Sequence, residues 1–353
     1  MASSHTMDSS PESRIPVALY GATGVVGQRF LRLLSDHPWF ELTDVLSSSH
    51  SAGQTLRKRL GEGAPEGLQD LVLGDPSAAP SCRLVFSAMN PEVAGEREAA
   101  LRDAGHLVVT NASAHRMDED VPLIVPEVNP GHLGLIEDPS AGAILANPNC
   151  STMGIVLALA PLWEAFGIEA IHAVTLQALS GMGAAAPSVS EFAGSLSPSI
   201  PGEEEKIESE TCRILGRLDG GRVRHASIKV AATTNRVAVV DGHTACVSVA
   251  LQGAVSRAQI LEAWQDYSST PQELELPSAP QRPVVWLEGE EVPRPELHVD
   301  TAQGMAVTVG RLRECPVLDW RFTTLSHNAI RGAAGGALLL AELAVAHGLV
   351  AEA

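Results

Sequence analysis

The feature that most constrains the fold is a glycine-rich turn directly after the first apolar stretch of the chain. Residues 15–20 (IPVALY) lead into Gly21-Ala-Thr-Gly-Val-Val-Gly27, and a helix-like stretch follows over 28–34. Glycines at this spacing let backbone N–H groups and a helix N-terminus approach a pyrophosphate closely. The order strand, glycine turn, helix therefore predicts the opening of a nucleotide-binding βαβ unit. The spacing differs from G-x-G-x-x-G and does not by itself separate NAD from NADP.

Downstream stretches alternate between strand-like and helix-like patterns. The segments 41–49, 83–89 and 106–113 are apolar and strand-like, and a helix-like segment lies at 92–104. Alternation of this kind indicates helices packed on a buried parallel sheet. The predicted fold class is therefore α/β, with an amino-terminal Rossmann-like doubly wound parallel sheet.

The pattern changes around residues 147–150. A helix-like stretch from Ser151 leads into β-rich segments at 168–179, 228–240 and 243–251. Strands of this length, interrupted by longer helices, predict a second domain of mixed α+β structure.

The remaining segments set the predicted boundaries of the domains. The Pro- and Glu-rich region 271–296 is interpreted as a surface loop, and 328–348 as a long Ala/Leu helix that returns to pack on the first domain. The polar start, residues 1–13, is interpreted as a disordered leader. We predict a nucleotide-binding domain at 14–149 plus 333–353 and a second domain at 150–332.

Composition excludes several classes of function. The formal net charge of −18 makes nucleic acid and anionic membranes poor partners, and no stretch of 18 apolar residues suggests a membrane span. Five cysteines without a C-x-x-C spacing argue against a disulfide framework and favour a reducing cytoplasm. The twelve histidines show no H-E-x-x-H spacing, so no metal site is predicted. An anionic substrate would need a local cationic pocket.

A hydroxyl-rich loop follows the second strand-like segment. Ser47-Ser-Ser-His-Ser-Ala-Gly53 occupies the place where a ribose hydroxyl or a 2′-phosphate is recognised in nucleotide-binding sheets. The loop has hydroxyl groups and no carboxylate that would repel a phosphate, which favours NADP modestly.

Three residues could carry chemistry. Cys150 lies at the start of an apparent helix, where the helix N-terminus is expected to lower the pKa of the thiol and favour a nucleophilic thiolate. His243 follows an apolar strand and a turn, and it could project into a cleft as a base. Arg236 in a β-run is costly to bury unpaired, so a carboxylate ligand would explain it. A lone His or Arg in such a place is structural more often than not, and Glu203-Glu-Glu-Lys206 by itself fits a solvated helix face.

Seven motifs, in order across nearly the whole chain, carry a resemblance to a known family. They are GATGVVGQ (21–28), TNASAHRMDEDVPLIVPEVN (110–129), NPNCST (147–152), QALSG (177–181), GEEEK (202–206), RVAVVDGHT (236–244) and LSHNAIRGAAG (325–335). The chain resembles aspartate-semialdehyde dehydrogenase, in the archaeal and fungal branch.

The resemblance implies a thioester mechanism that reduces an acyl phosphate. Cys150 would be the nucleophile, His243 the general acid/base, and Gln177 would position the acyl group. Arg236 would bind the substrate α-carboxylate, and Glu203 the amino group. The phosphate would be bound by Arg116 and Lys206, and Asn149 completes the substrate-binding set.

The cofactor implied is NADP, with NAD possible because His50 stands where relatives usually have Arg. The partners implied are a small acyl phosphate or aldehyde and inorganic phosphate, and a homodimer or homotetramer formed through the second domain. The resemblance also places the enzyme in amino-acid biosynthesis. The turn, the loop and the resemblance together give the predicted cofactor-binding set: Gly21, Thr23, Gly24, Val25, Val26, Ser48, Ser51, Ser87, Ser180, Gly181 and Asn328.

Other functions remain open at this point. Departures from the family pattern, such as Met-Gly-Ala-Ala-Ala after QALSG, leave room for a specialised reductase of a modified aspartyl phosphate. A malonyl-CoA reductase would resemble the same branch. An N-acetylglutamyl-phosphate reductase is disfavoured because Glu203 offers an anion to a free ammonium that its substrate lacks. A nucleotide-binding regulator without catalysis is disfavoured because Cys150, His243 and Arg236 are all present.

Overall fold

The computed structural model describes residue 11 and residues 13–350, so the predicted leader 1–13 lies almost entirely outside the described residues. The amino-terminal sheet consists of β1 (Ile15–Tyr20), β2 (Phe40–Leu46), β3 (Leu84–Ser87), β4 (Leu107–Thr110) and β5 (Ala143–Ala146). All its strands are parallel, in the order β2-β1-β3-β4-β5. The strand order reverses direction at β1, as in a doubly wound sheet, and confirms the predicted fold class.

Both faces of this sheet are buried because its strands are apolar at consecutive positions. In β1, Val17 and Leu19 point into one core, while Ala18 and Tyr20 point into another. Three helices belong to this part of the chain, and they are α1 (Val25–Leu34), α2 (Leu56–Leu60) and α3 (Pro91–Asp103). A parallel sheet covered on both faces leaves its strand ends as the natural place for a ligand.

The second sheet is mixed, as predicted. Its strands are β6 (Ile168–Gln177), β9 (Lys229–Arg236), β10 (His243–Leu251), β11 (Val284–Leu287), β12 (Val307–Glu314) and β13 (Trp320–Ser326), and a separate hairpin is formed by β7 (Arg217–Asp219) and β8 (Arg222–Arg224). The order is β11-β12-β13-β10-β6-β9. One face is closed by apolar side chains such as Ala173, Val247 and Phe322, whereas His172 and Cys246 are exposed on the other.

The prediction of a surface loop at 271–296 is wrong. This region contains α8 (Thr270–Glu273), the edge strand β11 and α9 (Pro295–His298). The apolar run Val284-Val-Trp-Leu287 pairs in parallel with β12, and Val284 is buried. Four apolar residues among prolines and glutamates are a weak signal, and burial against the sheet decides their structure.

Helix α4 (Cys150–Phe166) lies between the two sheets and is buried along most of its length. The other helices of the second half are α5 (Val189–Phe192), α6 (Glu203–Ile214), α7 (Arg257–Gln265) and α10 (Gly335–Ala346). A π-helical turn, Ile330–Ala334, precedes α10, and α10 packs into the core of the first sheet as expected. Among the helices of the described residues, none combines the length and apolarity needed to cross a bilayer.

Candidate active site

The predicted substrate residues meet in a cleft of about 310 Å³ between the two sheets. The cleft is bounded by the first turn of α1, the first turn of α4 and the carboxyl ends of β6 and β9. The predicted residues that line it are Val25, Val26, Arg116, Asn149, Cys150, Gln177, Ser180, Gly181, Glu203, Lys206, Arg236 and Asn328. Residues far apart in sequence therefore share one surface.

Cys150 is the first residue of α4, one position earlier than the sequence suggested. Asn149 caps the helix, because its side-chain oxygen accepts hydrogen bonds from the N–H groups of Ser151 (2.9 Å) and Thr152 (3.2 Å). The backbone of the π-helical turn lies close to the cysteine, since a Cβ added to Gly332 would lie 2.7 Å from the Cβ of Cys150. The thiol is thus held in place by a capped helix and a closely approaching backbone.

The expectation of a lowered thiol pKa at Cys150 is contradicted. Burial raises the pKa of this thiol to about 12, and the Glu203 carboxylate adds to the rise, although Cys150 keeps part of its surface open to the cleft. Arg116 and Arg236 act in the opposite direction. Burial and the Glu203 carboxylate therefore outweigh the two guanidinium groups in their effect on the pKa of this thiol.

Arg116 is held by a carboxylate that the sequence analysis did not identify. Glu210 is 2% exposed, and its Oε1 accepts a hydrogen bond from Arg116 Nη1 at 3.0 Å. Its Oε2 accepts from the backbone N–H of Asn149 at 2.6 Å. One buried carboxylate therefore fixes both a cleft cation and the residue that caps the helix of Cys150. The one indication of this role in the sequence is the spacing of Glu203, Lys206 and Glu210, which places them on one face of a helix.

Glu203 connects the substrate-binding groups before any substrate is bound. Its Oε2 accepts from Asn149 Nδ2 at 2.8 Å and from Gln177 Nε2 at 3.5 Å, and its Oε1 accepts from Lys206 Nζ at 3.0 Å. The predicted contact for an ammonium and a predicted contact for a phosphate are thus paired with each other. A ligand that carries both charges can replace this pair with two new ones.

His243 lies behind the cleft wall and is not among the residues that line it. A Cβ added to Gly181 would lie 3.2 Å from His243 Nε2 and 2.7 Å from Arg236 Nη1. The missing side chain of Gly181 lets the His243 ring and the Arg236 guanidinium approach the backbone of this cleft residue closely. Arg236 is buried, and its Nη1 donates to the carbonyl oxygen of Ala178 at 2.7 Å, which directs the guanidinium along the end of β6.

The hydrogen bonds of His243 define its tautomer. The backbone N–H of Ala178 donates to His243 Nδ1 at 3.1 Å, so Nδ1 carries no proton and the neutral ring carries its proton on Nε2. Nε2 has no hydrogen-bond partner among the described residues. Burial lowers the pKa of His243 to about 3, with further lowering by Arg236 and His327. The ring is therefore neutral at physiological pH, with an available N–H donor.

Asn328 joins the loop of His243 to the cleft. Its Oδ1 accepts from the N–H of Gly242 at 2.8 Å, and its Nδ2 donates to Ser180 Oγ at 2.8 Å. Both predicted cofactor residues, Asn328 and Ser180, line the cleft on the side of Val25 and Val26. This arrangement fits a nicotinamide ring placed between the first turn of α1 and Cys150.

The glycine turn is sterically suited to a pyrophosphate. Gly21 has φ +77°, and a Cβ there would lie 2.4 Å from the carbonyl oxygen of Ala88. A Cβ at Gly27 would lie 2.2 Å from the carbonyl oxygen of Gly21, so this position also requires glycine. Gly24 precedes the first residue of α1 and leaves the helix N-terminus open. Thr23 Oγ1 lies 2.7 Å from Ser47 Oγ, which ties the turn to the loop after β2.

The remaining predicted cofactor residues lie outside the cleft that contains Cys150. Ser48 is exposed and Ser51 is buried, with 3.5 Å between their hydroxyl oxygens. Ser87 is buried and donates from Oγ to Glu98 Oε1 at 2.5 Å, so its hydroxyl already has a partner. The cleft also has lining residues that were not predicted: Pro91, Asn111, Ser113, Gly183, Ile200, Ala329, Gly332 and Ala333. Among the described residues, no cluster of three or more His, Cys, Asp or Glu side chains could hold a metal ion.

Comparisons with known proteins agree with this geometry. Residues 16–136 match the family described as semialdehyde dehydrogenase, NAD binding domain, and residues 159–331 match its dimerisation domain. An aspartate-semialdehyde dehydrogenase from Methanothermobacter thermautotrophicus is 43% identical, over 93% of this chain and 98% of that one. One from Cryptococcus neoformans is 41% identical, over 97% of this chain and 100% of that one.

Solved structures give the same result. The crystal structure of aspartate semialdehyde dehydrogenase with NADP from Candida albicans has a TM-score of 0.87 and 37% sequence identity, and the match covers 96% of this chain and 100% of that one. The two family domains identify the protein as an oxidoreductase with an NAD-binding domain. With two family domains matched in order and relatives aligned over nearly their whole length, the chain belongs to the semialdehyde dehydrogenase family, in the branch of the archaeal and fungal aspartate-semialdehyde dehydrogenases.

Proposed function

We propose that this enzyme reduces L-4-aspartyl phosphate to L-aspartate 4-semialdehyde with NADPH, reversibly, through a thioester on Cys150. The observation that carries the proposal is the composition of the cleft wall. A cysteine at a capped helix start shares the cleft with three cations and one carboxylate, which are Arg116, Lys206, Arg236 and Glu203. Those charges complement a substrate that has a phosphate, a carboxylate and an ammonium group.

Each charged group of the substrate has a candidate partner. Arg236 offers a planar guanidinium to the α-carboxylate, and Glu203 accepts the ammonium. Arg116 and Lys206, which line the same cleft, would bind the phosphate. Substrate binding would then replace the pair between Glu203 and Lys206 with one contact each. A malonyl thioester has no ammonium that could replace Lys206 as the partner of Glu203, so this carboxylate favours the aspartyl substrate.

The first chemical step is the attack of the Cys150 sulfur on the acyl carbon. A bond forms between sulfur and carbon, and the carbon–oxygen bond to phosphate breaks, so that inorganic phosphate leaves toward Arg116 and Lys206. The thiol proton can leave with the phosphate. Gln177, buried at the end of β6, positions the acyl oxygen. The N–H groups at the start of α4 already bind Asn149 Oδ1, which keeps the nucleophile at the helix end.

The second step is the reduction of the thioester. Gly21, Gly24 and Val25 would hold NADPH and Asn328 would lie beside its nicotinamide, and the bound cofactor would supply the hydride. Addition to the thioester carbon gives a thiohemiacetal oxyanion on Cys150. Collapse of this oxyanion re-forms the carbonyl and releases Cys150 as the thiolate. The thiolate then takes up one proton from solvent to return to the thiol, and this is the proton that the overall reduction consumes.

His243 is the proposed acid/base group of these steps. Its Nε2 hydrogen can donate to the oxyanion without any change in the ring, because Nε2 faces Gly181 and lacks a partner among the described residues. Uptake of a further proton would require the bond from Ala178 N–H to Nδ1 to break. In the resting geometry the hydrogen-bond donor is available immediately, and a net proton transfer needs rearrangement.

The proposal also covers the oligomeric state and the domain boundaries of the chain. The second sheet exposes one face, and the sequence match over 159–331 is to a dimerisation domain, so an oligomer forms through this part of the chain. We propose a homodimer or homotetramer built on that face, with residues 14–149 plus 333–353 as the NADP-binding unit and 150–332 as the catalytic unit. Five free cysteines favour a cytoplasmic location.

The test is the phosphate-dependent formation of NADPH from L-aspartate 4-semialdehyde and NADP, followed by absorbance. Wild-type turnover should require phosphate, and Cys150→Ser should lower kcat on the order of 10³-fold or more. Cys212→Ser, a change of a half-buried cysteine outside the cleft, is the matched control and should keep full activity. Turnover that continues without phosphate, or a Cys150→Ser variant as active as the control, would sink the proposal.

A further inference from the structure

The loop after β2 brings an arginine to the buried serine of the predicted ribose site. Ser51 is fully buried, and Arg59 in α2 donates from Nε to Ser51 Oγ at 3.1 Å. The loop reverses its direction through a hydrogen bond from Ser51 N–H to the carbonyl oxygen of Ser48 at 2.8 Å. The side chain of Arg59 is thereby held at the carboxyl end of β2, although Arg59 lies eight residues further along the chain.

This loop is directly connected to the glycine turn. Gly21 N–H donates to the carbonyl oxygen of Leu46 at 3.0 Å, and Thr23 Oγ1 lies 2.7 Å from Ser47 Oγ. In doubly wound sheets the pyrophosphate binds at the glycine turn and the adenosine ribose lies beside the end of the next strand. Because these contacts join the loop to the glycine turn, Ser48, Ser51 and Arg59 lie beside the place where this sheet geometry puts the ribose.

The charges around the loop favour an added phosphate. Residues 47–60 contain no Asp or Glu, and three cations occur together at 57–59. Arg57 is paired with Asp70 at 3.6 Å, whereas no carboxylate pairs with Arg59 within the part of the chain that the structure describes. Because Nε of Arg59 is bound to Ser51, its two terminal nitrogens remain for a ligand. A guanidinium held through Nε can present both terminal nitrogens to one phosphate.

We propose that Arg59 binds the 2′-phosphate of NADP and determines the preference of this enzyme for NADP over NAD, with Ser51 orienting the guanidinium. This inference rests on NADP as the cofactor and is independent of the carbonyl substrate. Arg59 takes the part that an arginine at position 50 would otherwise play. His50 is exposed, and its imidazole lacks the planar fork of a guanidinium, which can bind a phosphate through two nitrogens.

The experiment compares binding by calorimetry with the whole enzyme, without turnover. The probes are NADP, NAD, 2′,5′-ADP and ADP, and the variants are Arg59→Gln, with Lys58→Gln as the matched control on the same helix. Arg59→Gln should weaken NADP and 2′,5′-ADP about 10- to 100-fold and leave NAD and ADP within about twofold, because only a charge-assisted bond to the 2′-phosphate is lost. Lys58→Gln should leave all four affinities within about threefold.

Two further variants keep the test decisive. Arg59→Lys retains the charge without the planar fork, so it should recover only part of the affinity for 2′,5′-ADP. His50→Gln should leave all four affinities within about twofold, because the proposal gives His50 no contact with the 2′-phosphate. The proposal would be overturned if Arg59→Gln weakened the binding of NADP and NAD equally. It would also be overturned if His50→Gln weakened the binding of NADP and Arg59→Gln did not. Because no arm depends on aldehyde oxidation, failure here is distinct from failure of the proposed reaction.

Discussion

The two ends of the ligand-binding region are built on different principles. At the catalytic end, charged side chains already have protein partners, as in the pairs Arg116–Glu210 and Lys206–Glu203. At the cofactor end, the surface consists of glycine backbone, serine hydroxyls and the exposed Arg59, whose terminal nitrogens lack an acceptor among the described residues. The first end is arranged before the ligand arrives, and the second is completed by the ligand.

The difference follows from what each end must do. Groups that stabilise developing charge are most effective when their orientation needs no adjustment during the reaction, and buried partners supply that orientation. A cofactor that binds and leaves in every cycle needs an open surface, where exposed cations attract the phosphate and cost little to solvate. The comparison predicts that variants at the catalytic end change stability and chemistry together, whereas variants at the cofactor end change affinity alone.

The largest expected effect concerns the ion pair behind Cys150. Arg331 precedes Gly332 in the π-helical turn, and its Nη1 donates to Glu127 Oε1 at 2.8 Å with both side chains fully buried. Glu127→Gln removes the charge that balances Arg331, so the free energy of unfolding should fall by about 3–5 kcal/mol. Urea unfolding measures this loss.

The matched change at the cofactor end is Lys58→Gln, which affects an exposed side chain. It should alter the free energy of unfolding by no more than about 0.5 kcal/mol. Similar losses in Lys58→Gln and Glu127→Gln would remove the distinction between a prearranged end and an open end.

The next effect concerns Arg236. Arg236→Lys loses the planar fork and the bond to the carbonyl oxygen of Ala178, so kcat/KM for L-aspartate 4-semialdehyde should fall about 10²- to 10³-fold. The affinity for NADP should stay within about twofold, because this residue belongs to the catalytic end. Steady-state kinetics measures kcat/KM, and calorimetry measures the affinity for NADP. If kcat/KM and the affinity for NADP fell together, the catalytic end and the cofactor end would be coupled.

The sequence predicts a structural element well when that element depends only on residues that are neighbours along the chain. The glycine turn, the first four strands of the first sheet and the start of α4 follow from short patterns, and the structure places them within a few residues of the prediction, whereas β5 was not predicted. β11 was missed because four apolar residues between prolines have no local pattern that separates a strand from a loop. Its structure is decided by pairing with β12, which lies far along the chain.

The same distinction holds for the site. Motif order brought Cys150, Arg236 and Glu203 together correctly in one cleft. Glu210 was not identified because α6 carries five glutamates, and the sequence alone does not say which one is buried against Arg116. The pKa of the Cys150 thiol was predicted in the wrong direction, because the helix terminus is visible in the sequence and the desolvation by surrounding residues is not.

A smaller effect tests the electrostatics of Cys150 directly. Glu203 raises the pKa of this thiol, so Glu203→Gln should lower the pKa and speed alkylation by iodoacetamide about tenfold at pH 8. The same variant should turn over more slowly, because the substrate ammonium loses its partner. Glu205→Gln, an exposed change on the same helix, is the control and should affect neither rate. Slower alkylation in Glu203→Gln would mean that Glu203 acts on Cys150 through position and not through charge.

The smallest effect is the pH dependence that His243 gives to stability. The folded pKa of His243 is about 3, and an unfolded histidine has a pKa near 6.5. Above pH 6.5 both states are neutral, and the group adds no pH dependence. As the pH falls below 6.5 the unfolded state binds a proton that the folded state does not, so the wild type should lose roughly 1 kcal/mol between pH 7.5 and 5.5 relative to His243→Gln. Urea unfolding of both proteins at these two pH values isolates the contribution, since every other titrating group is common to them. If both proteins lost the same stability, His243 would have to accept a proton in the folded enzyme. The hydrogen bond from Ala178 N–H would then not keep Nδ1 unprotonated.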